Sequence, residues 1–319
     1  MARDISGIMN ISVIGAGMMG HGIAQIFASH GYDVTLMDVN RDLLDQAIKK
    51  IRSNLNLITQ RGLYRADAIE STIKRIKTTL SLKEAGSTAQ FIIEAVSENL
   101  ELKQKIFYDL DSLCLPDAIL ATNTSVISIT EIAKEARNRN RILGTHFWNP
   151  PYLIPLVEVV KGKETSDEAM DVTFELLKQV GKHPVRVQKD VPGFVGNRLQ
   201  HALWREAISI VERGIADAAT VDECIKYGFG LRLPVLGPLE NADMVGLDLT
   251  LAIHEYVLKH LESSPAPSPL LKEKVKKGEL GFQKGQGFYA WSKEEAEASR
   301  KNLQEYLLTH VADKGGKKT

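Results

Sequence analysis

The apolar positions between residues 9 and 38 change period twice. Ile11, Val13 and Ile14 read as a strand, a glycine-rich turn follows, residues 23–30 read as a helix, and Val34 and Leu36 begin a second strand that ends in Asp38. One βαβ unit is expected here. From Asp42 to about Lys77 the residues Leu43, Leu44, Ile48, Ile51 and Leu55 share one helical face, which predicts two long helices with a break near Gly62. Short apolar runs at 91–93, 118–121 and 142–145 read as strands, and the segments 103–113 and 129–136 between them read as helices. This alternation predicts a parallel sheet with helices on both faces. A strand at 156–160, a helix at 167–180 and a strand at 184–187 close this half.

Beyond Asp190-Val191-Pro192-Gly193 nearly every segment is helical. The expected organisation is an α/β domain over residues 1–188 and an all-α domain over 189–319 that ends in a helical tail. Leu303, Tyr306, Leu307 and Val311 give that tail its apolar face. In the first helix of the second domain Leu199, Leu203, Ala207, Ile210 and Val211 form so broad an apolar face that helix-on-helix packing, and dimerisation through this domain, are expected.

Gly15-Ala16-Gly17-Met18-Met19-Gly20 sits between the first strand and the helix after it, the context that makes this glycine pattern a dinucleotide signal and the first domain Rossmann-like. Gly15 permits the tight turn, Gly17 lets backbone amides approach a pyrophosphate, and Gly20 lets the helix lie close on the sheet. The helix N-terminus then offers unpaired N–H groups to the phosphates. Asp38 follows Gly20 by 18 residues, where its carboxylate would accept from the adenine-side ribose and repel a phosphate there. NAD is therefore expected over NADP, with Arg41 close by.

Among eight histidines, His146 ends a strand at the carboxyl edge of the sheet, where ligands of such sheets bind. Twelve residues on, Glu158 lies inside the apolar run Leu156-Val157-Glu158-Val159-Val160, where an unpaired carboxylate would be costly. An imidazole is a suitable partner. Glu158 would orient His146, and His146 would take a hydroxyl proton while hydride leaves the carbinol carbon. The other histidines read as structural or solvated, and no metal site is expected.

Composition narrows the partners. With 40 basic and 40 acidic side chains there is no net field for nucleic acid, and no stretch approaches the length of a membrane span. Cys114 and Cys224 lack metal or disulfide spacing and fit a reducing compartment. The N-terminal stretch lacks a secretory or transit pattern and the last residues match no peroxisomal address, so a cytoplasmic enzyme is expected.

These motifs, together with Glu94-Ala95-Val96-Ser97-Glu98-Asn99, Asn123-Thr124-Ser125, Pro192-Gly193-Phe194 with Asn197-Arg198, and Gly285-Gln286-Gly287-Phe288-Tyr289, resemble the 3-hydroxyacyl-CoA dehydrogenase family over about residues 10 to 291. The resemblance implies His146 and Glu158 as the catalytic pair, with Ser125 and Asn197 binding the substrate oxygen. It implies Asn149 beside nicotinamide and substrate, Glu98 and Lys103 near the nicotinamide-side ribose, and Asp38 at the adenine side. A small-molecule substrate and a homodimer are expected.

Three departures leave the substrate open between a CoA thioester and a free hydroxy acid or polar alcohol. The loop Gly228 to Pro238 is longer than the family's usual turn, Asn149-Pro150-Pro151-Tyr152 follows the histidine, and a helical tail follows Trp291. All three look like relatives that oxidise L-gulonate, carnitine or a pyridoxine-degradation intermediate. In the other direction, Lys49, Lys50, Arg52, Arg61, Arg65, Lys74, Arg75 and Lys77 load the helix pair after Asp38, where CoA-using members hold their nucleotide. Arg232 in the long loop would suit a free carboxylate.

Overall fold

The computed structural model describes residues 7–315, with side chains to residue 310. The expectations about the chain's first and last residues therefore lie outside the described part, as does the side chain of Val311.

The chain divides into two compact units, residues 1–198 with 304–319, and residues 199–303. The first is built on an eight-stranded sheet in the order β3-β2-β1-β4-β5-β6-β7-β8. Its strands are β1 (Asn10–Ile14), β2 (Asp33–Met37), β3 (Ile76–Thr79), β4 (Phe91–Glu94), β5 (Ile119–Thr122), β6 (Ile142–Phe147), β7 (Leu156–Val160) and β8 (His183–Val187). Between them run α1 (Gly20–Ser29), α2 (Arg41–Gln60), α3 (Ile69–Lys74), α4 (Leu82–Gly86), α5 (Leu100–Leu113), α6 (Ile129–Ile132) and α7 (Asp167–Gln179). β1, β4 and β5 are almost wholly buried, as strands covered on both faces must be. Each sheet face packs its own apolar cluster, one under α1, α2 and α7, the other under α5 and α6.

Within the sheet, two features depart from the sequence reading. The second of the expected long helices is only the six-residue α3, and the chain then enters β3, which pairs parallel with β2. The β-branched run Ile76-Lys77-Thr78-Thr79 carries that edge strand. The sheet is also not parallel throughout: β7 runs antiparallel to β6, while β8 is parallel to β7. The eight residues 148–155 between β6 and β7 are too few for a crossover of a dozen or more, so the chain turns back beside its own strand.

α8 (Gly196–Glu212) leaves the first unit and runs on into the second, which holds α9 (Ala218–Tyr227), α10 (Pro238–Val245), α11 (Leu247–Val257) and α12 (Pro269–Lys276). None of α9 to α12 has a buried residue. The last helix, α13 (Lys293–Gly315), is assigned from Gln304 onward to the first unit, whereas the sequence reading grouped the whole tail with the helical domain. There Leu308 is buried, Glu305 pairs with Arg61, and Gln304 donates to the Tyr152 hydroxyl. The tail's apolar face differs from the expected one, since Leu303 and Tyr306 stay exposed. Among the described residues no helix is long and apolar enough to cross a membrane, and no cluster of three or more His, Cys, Asp or Glu has a metal-holding arrangement.

Candidate active site

The glycine turn after β1 is shaped by close approach. Gly15 has φ +103°, and a Cβ there would lie 2.6 Å from the Ala95 carbonyl oxygen; one on Gly20 would lie 1.7 Å from the Gly15 carbonyl oxygen. Both positions exclude a side chain. A Cβ on Gly17 would meet nothing within 4 Å, so the backbone there faces open space above the start of α1. Met18 beside it is exposed and Met19 half-buried. α1 has neither a side-chain cap nor an acid in its first turn, which leaves its N-terminal amides and partial positive charge to an anionic ligand. These residues fit a dinucleotide pyrophosphate.

Asp38, just past β2, accepts from the Ala16 amide at 2.8 Å and from the Asn40 amide at 3.1 Å. Its carboxylate is thereby fixed against the glycine turn.

At the far end of β6 the antiparallel register sets His146 directly opposite Glu158. Such cross-strand neighbours lie within side-chain reach, and His146 Nδ1 stands 2.7 Å from Glu158 Oε2, with both side chains removed from solvent. The other carboxylate oxygen, Oε1, accepts from the Val195 and Gly196 amides, each at 2.9 Å. Those amides open α8. Gly193 and Phe194 before them have φ of +77° and +49°, a left-handed pair that turns the helix start toward Glu158. A non-glycine residue in that region is strained, and such residues concentrate at functional sites.

Burial pushes the Glu158 carboxyl up, but bonds from His146, Gly196 and Val195 outweigh it and hold the group below the usual carboxylate range. It is a fixed anion. An Nδ1–H donated to it leaves Nε2 of a neutral His146 with a lone pair for a proton. The imidazole lies between Trp148 and Phe194, with ring centroids 5.2 and 5.7 Å away.

A second constellation follows β4 and β5. Glu98 Oε1 accepts from the Thr124 hydroxyl at 2.5 Å and from the Ser125 and Val126 amides at 3.0 and 3.2 Å. Burial raises the Glu98 pKa, yet the Thr124 hydroxyl, the Lys103 charge and the two amides leave it depressed. Asn197 Nδ2 donates to the Ser125 carbonyl at 2.9 Å, which leaves its second N–H for a ligand oxygen. The Asn123 side chain accepts from the Phe147 amide at 2.9 Å, tying this loop to the residue after His146. The first turn of α8 thus serves both groups: Gly196 holds Glu158, and Asn197 next to it holds Ser125.

Among the sequence-derived residues, Lys103 is as deeply buried as Glu158. It is 1% exposed, with Nζ 2.8 Å from Glu94 and 3.4 Å from Glu98, so its ammonium is shared between two carboxylates. Asn149 is exposed at the head of the turn, before the cis peptide to Pro150. Arg232 is exposed after a short 3-10 turn in the second unit.

The sequence reading missed three contributors. Glu94 is an acid at the end of the apolar strand β4, a signal close to the one that marked Glu158 within β7. Lys182 donates from its half-buried position to the Pro151 carbonyl and, at 3.0 Å, to that of Ile154, which pins the turn after His146; burial pushes its ammonium down to about 8. The Val195 and Gly196 amides are backbone groups without a residue signature. Of the cysteines, Cys224 is exposed and Cys114 half-buried, with burial pushing the Cys114 thiol up to about 11, away from reactive thiolate.

Residues 10–191 match the NAD-binding domain of 3-hydroxyacyl-CoA dehydrogenase, and residues 193–291 match the C-terminal domain of the same family. A probable 3-hydroxybutyryl-CoA dehydrogenase of Bacillus subtilis (strain 168) is 41% identical over 284 residues, covering 88% of this chain and 97% of that protein. The 5-formyl-3-hydroxy-2-methylpyridine 4-carboxylate 5-dehydrogenase of Mesorhizobium japonicum is 33% identical, covering 91% and 93%. A crystal structure of a 5-dehydrogenase of that latter kind, described as an NAD+-dependent dismutase, superposes with a TM-score of 0.88 at 32% identity, over 95% of this chain and 97% of that one. A 3-hydroxybutyryl-CoA dehydrogenase from Escherichia coli K12 gives 0.76 at 38% identity, over 89% and 60%. With both of its domains matched across a NAD-binding sheet and a buried His–Glu pair, the chain belongs to the 3-hydroxyacyl-CoA dehydrogenase family, NAD-dependent oxidoreductases that act on CH–OH groups.

Proposed function

We propose that the protein oxidises the 3-hydroxyl of an L-3-hydroxyacyl-CoA, such as 3-hydroxybutyryl-CoA, to the 3-ketoacyl-CoA. The carrying observation is the 2.7 Å contact of His146 Nδ1 with a carboxylate held anionic on its other side by two amides. Glu158 keeps the Nδ1–H tautomer and stabilises the imidazolium that forms; His146 Nε2 takes the hydroxyl proton. Bound NAD supplies the acceptor for the hydride from the carbinol carbon. Ser125 and the remaining N–H of Asn197 bind the substrate oxygen, Asp38 receives the adenine-side ribose, and Glu98, paired with Lys103, receives the nicotinamide-side ribose with Asn149 near the ring.

A second reading, a free hydroxy acid or polar alcohol as substrate, draws support from the basic face after Asp38. Four of its arginines already have carboxylate partners: Arg52 with Glu70, Arg61 with Glu305 of the tail, Arg65 with Asp67 and Arg75 with Asp33. These pairs reduce the charge available to a nucleotide phosphate. Steady-state NAD reduction with hydroxybutyryl-CoA against L-gulonate and carnitine separates the readings. Turnover of the thioester supports the first, and none with it retires that reading in favour of the second.

We also infer a cytoplasmic homodimer joined through the helical unit. Its exposed apolar side chains, among them Tyr227, Val235, Leu239, Leu247 and Tyr256, support this reading, since large exposed apolar groups favour a partner surface. Sedimentation equilibrium should give twice the chain mass; a monomer at micromolar concentration would remove this inference.

A further inference from the structure

We infer that Trp148 is a positioning residue for the His146–Glu158 pair, acting through a contact with Gly196 that a smaller aromatic ring could not make. The inference rests on His146 being the base.

The indole occupies a junction. One side of it packs on the His146 imidazole. Its six-membered ring meets Gly196, where a Cβ would lie 2.5 Å from Trp148 Cζ2, 3.3 Å from Cη2 and 3.4 Å from Glu158 Oε2. Gly196 is also the residue whose amide donates to Glu158. Trp148 therefore touches the proposed base directly and, through one residue, sets how near the helix start stands to the carboxylate.

Chemistry argues that place rather than packing holds this residue. The indole N–H is buried with no partner among the described residues. A site that needed only apolar packing would be filled as well by phenylalanine. Phenylalanine, however, lacks the Cζ2 and Cη2 edge that an indole presents to Gly196. A glycine at 196 and a tryptophan at 148 thus fit as a matched pair: the absent side chain makes room for the ring, and the ring limits the travel of the helix start. Proton transfer is sensitive to such placement, because displacement of a positioned group by about 1 Å can lower rate by about 10²-fold.

The test is a double-mutant cycle on the full chain, with kcat, KM for the alcohol and Kd for NAD measured for each variant. Trp148→Phe should lower kcat by about tenfold or more with Kd for NAD unchanged, because the dinucleotide turn is untouched. Gly196→Ala should lower kcat further by driving a methyl into the indole. Combining Gly196→Ala with Trp148→Phe should recover kcat above the Gly196→Ala value, since the smaller ring admits the methyl. Additive losses, or a Trp148→Phe enzyme with wild-type kcat, would overturn the inference. If Gly196→Ala does not fold, the kcat and Kd of Trp148→Phe alone decide. His146→Ala run alongside separates the two claims: full activity there removes the base itself, whereas an inactive His146→Ala with an unaffected Trp148→Phe removes only the positioning role.

Discussion

Glu94 and Lys103 form a 2.8 Å ion pair with both side chains out of solvent, 0% and 1% exposed. Glu94 also accepts from the Val96 amide and the Thr122 hydroxyl, each at 2.7 Å, so its carboxylate is fully engaged. Removing one member strands a buried charge. Lys103→Met should therefore lower stability by about 3–5 kcal/mol in urea denaturation. A loss below about 1 kcal/mol would mean that the buried pair contributes little to folding stability.

His146→Ala should lower turnover by about 10²–10⁴-fold while NAD still binds, because the proposed base lies on β6 and the glycine turn follows β1. Stopped-flow single turnovers isolate the chemical step. Glu158→Gln should also slow that step, since a neutral amide gives up the charge that stabilises the imidazolium. Wild-type rates in either variant would refute the proposed proton path.

The Asp38 carboxylate held against the Ala16 amide predicts tighter binding of NAD than of NADP in fluorescence titrations. Asp38→Asn should narrow the difference by removing the repulsion toward a ribose phosphate. Tighter NADP binding by the wild type would contradict the assignment.

Acid should destabilise the protein through identifiable carboxylates. Asp111, whose partner Arg141 is 2.8 Å away, and Glu158 both have native pKa values below their ordinary ones. Burial opposes this in each case, and the hydrogen bonds prevail. For a depressed acid the unfolded chain binds more protons, so the stabilisation is complete above the unfolded pKa and is lost as pH falls through the native one. Urea midpoints measured from pH 6 down to 3 should fall, and Asp111→Asn should flatten the slope. An unchanged slope would exclude Asp111 as a contributor.

Much of this was legible from local pattern. The βαβ unit, the glycine turn and Asp38 sit within thirty residues of one another, and their order along the chain reproduces their order in space. The acid in an apolar strand marked Glu158, because a buried carboxylate requires a partner wherever the chain goes. The same reasoning applied to Glu94 would have found the ion pair beside Glu98.

What periodicity could not supply was direction and register. An apolar run such as Leu156–Val160 reads alike whether its strand runs up or down the sheet, so the antiparallel return of β7, which faces Glu158 to His146, emerged only from the folded chain. Backbone groups carry no residue code either: the amides of Val195 and Gly196 became anion ligands because a left-handed Gly193-Phe194 turn aimed them. Sequence by itself determined which side chains must be buried and which buried ones need partners, since both follow from transfer out of water. The tertiary structure decided which partners they received, since hydrogen bonds depend on distances of a few tenths of an ångström that only the packed sheet and the start of α8 set.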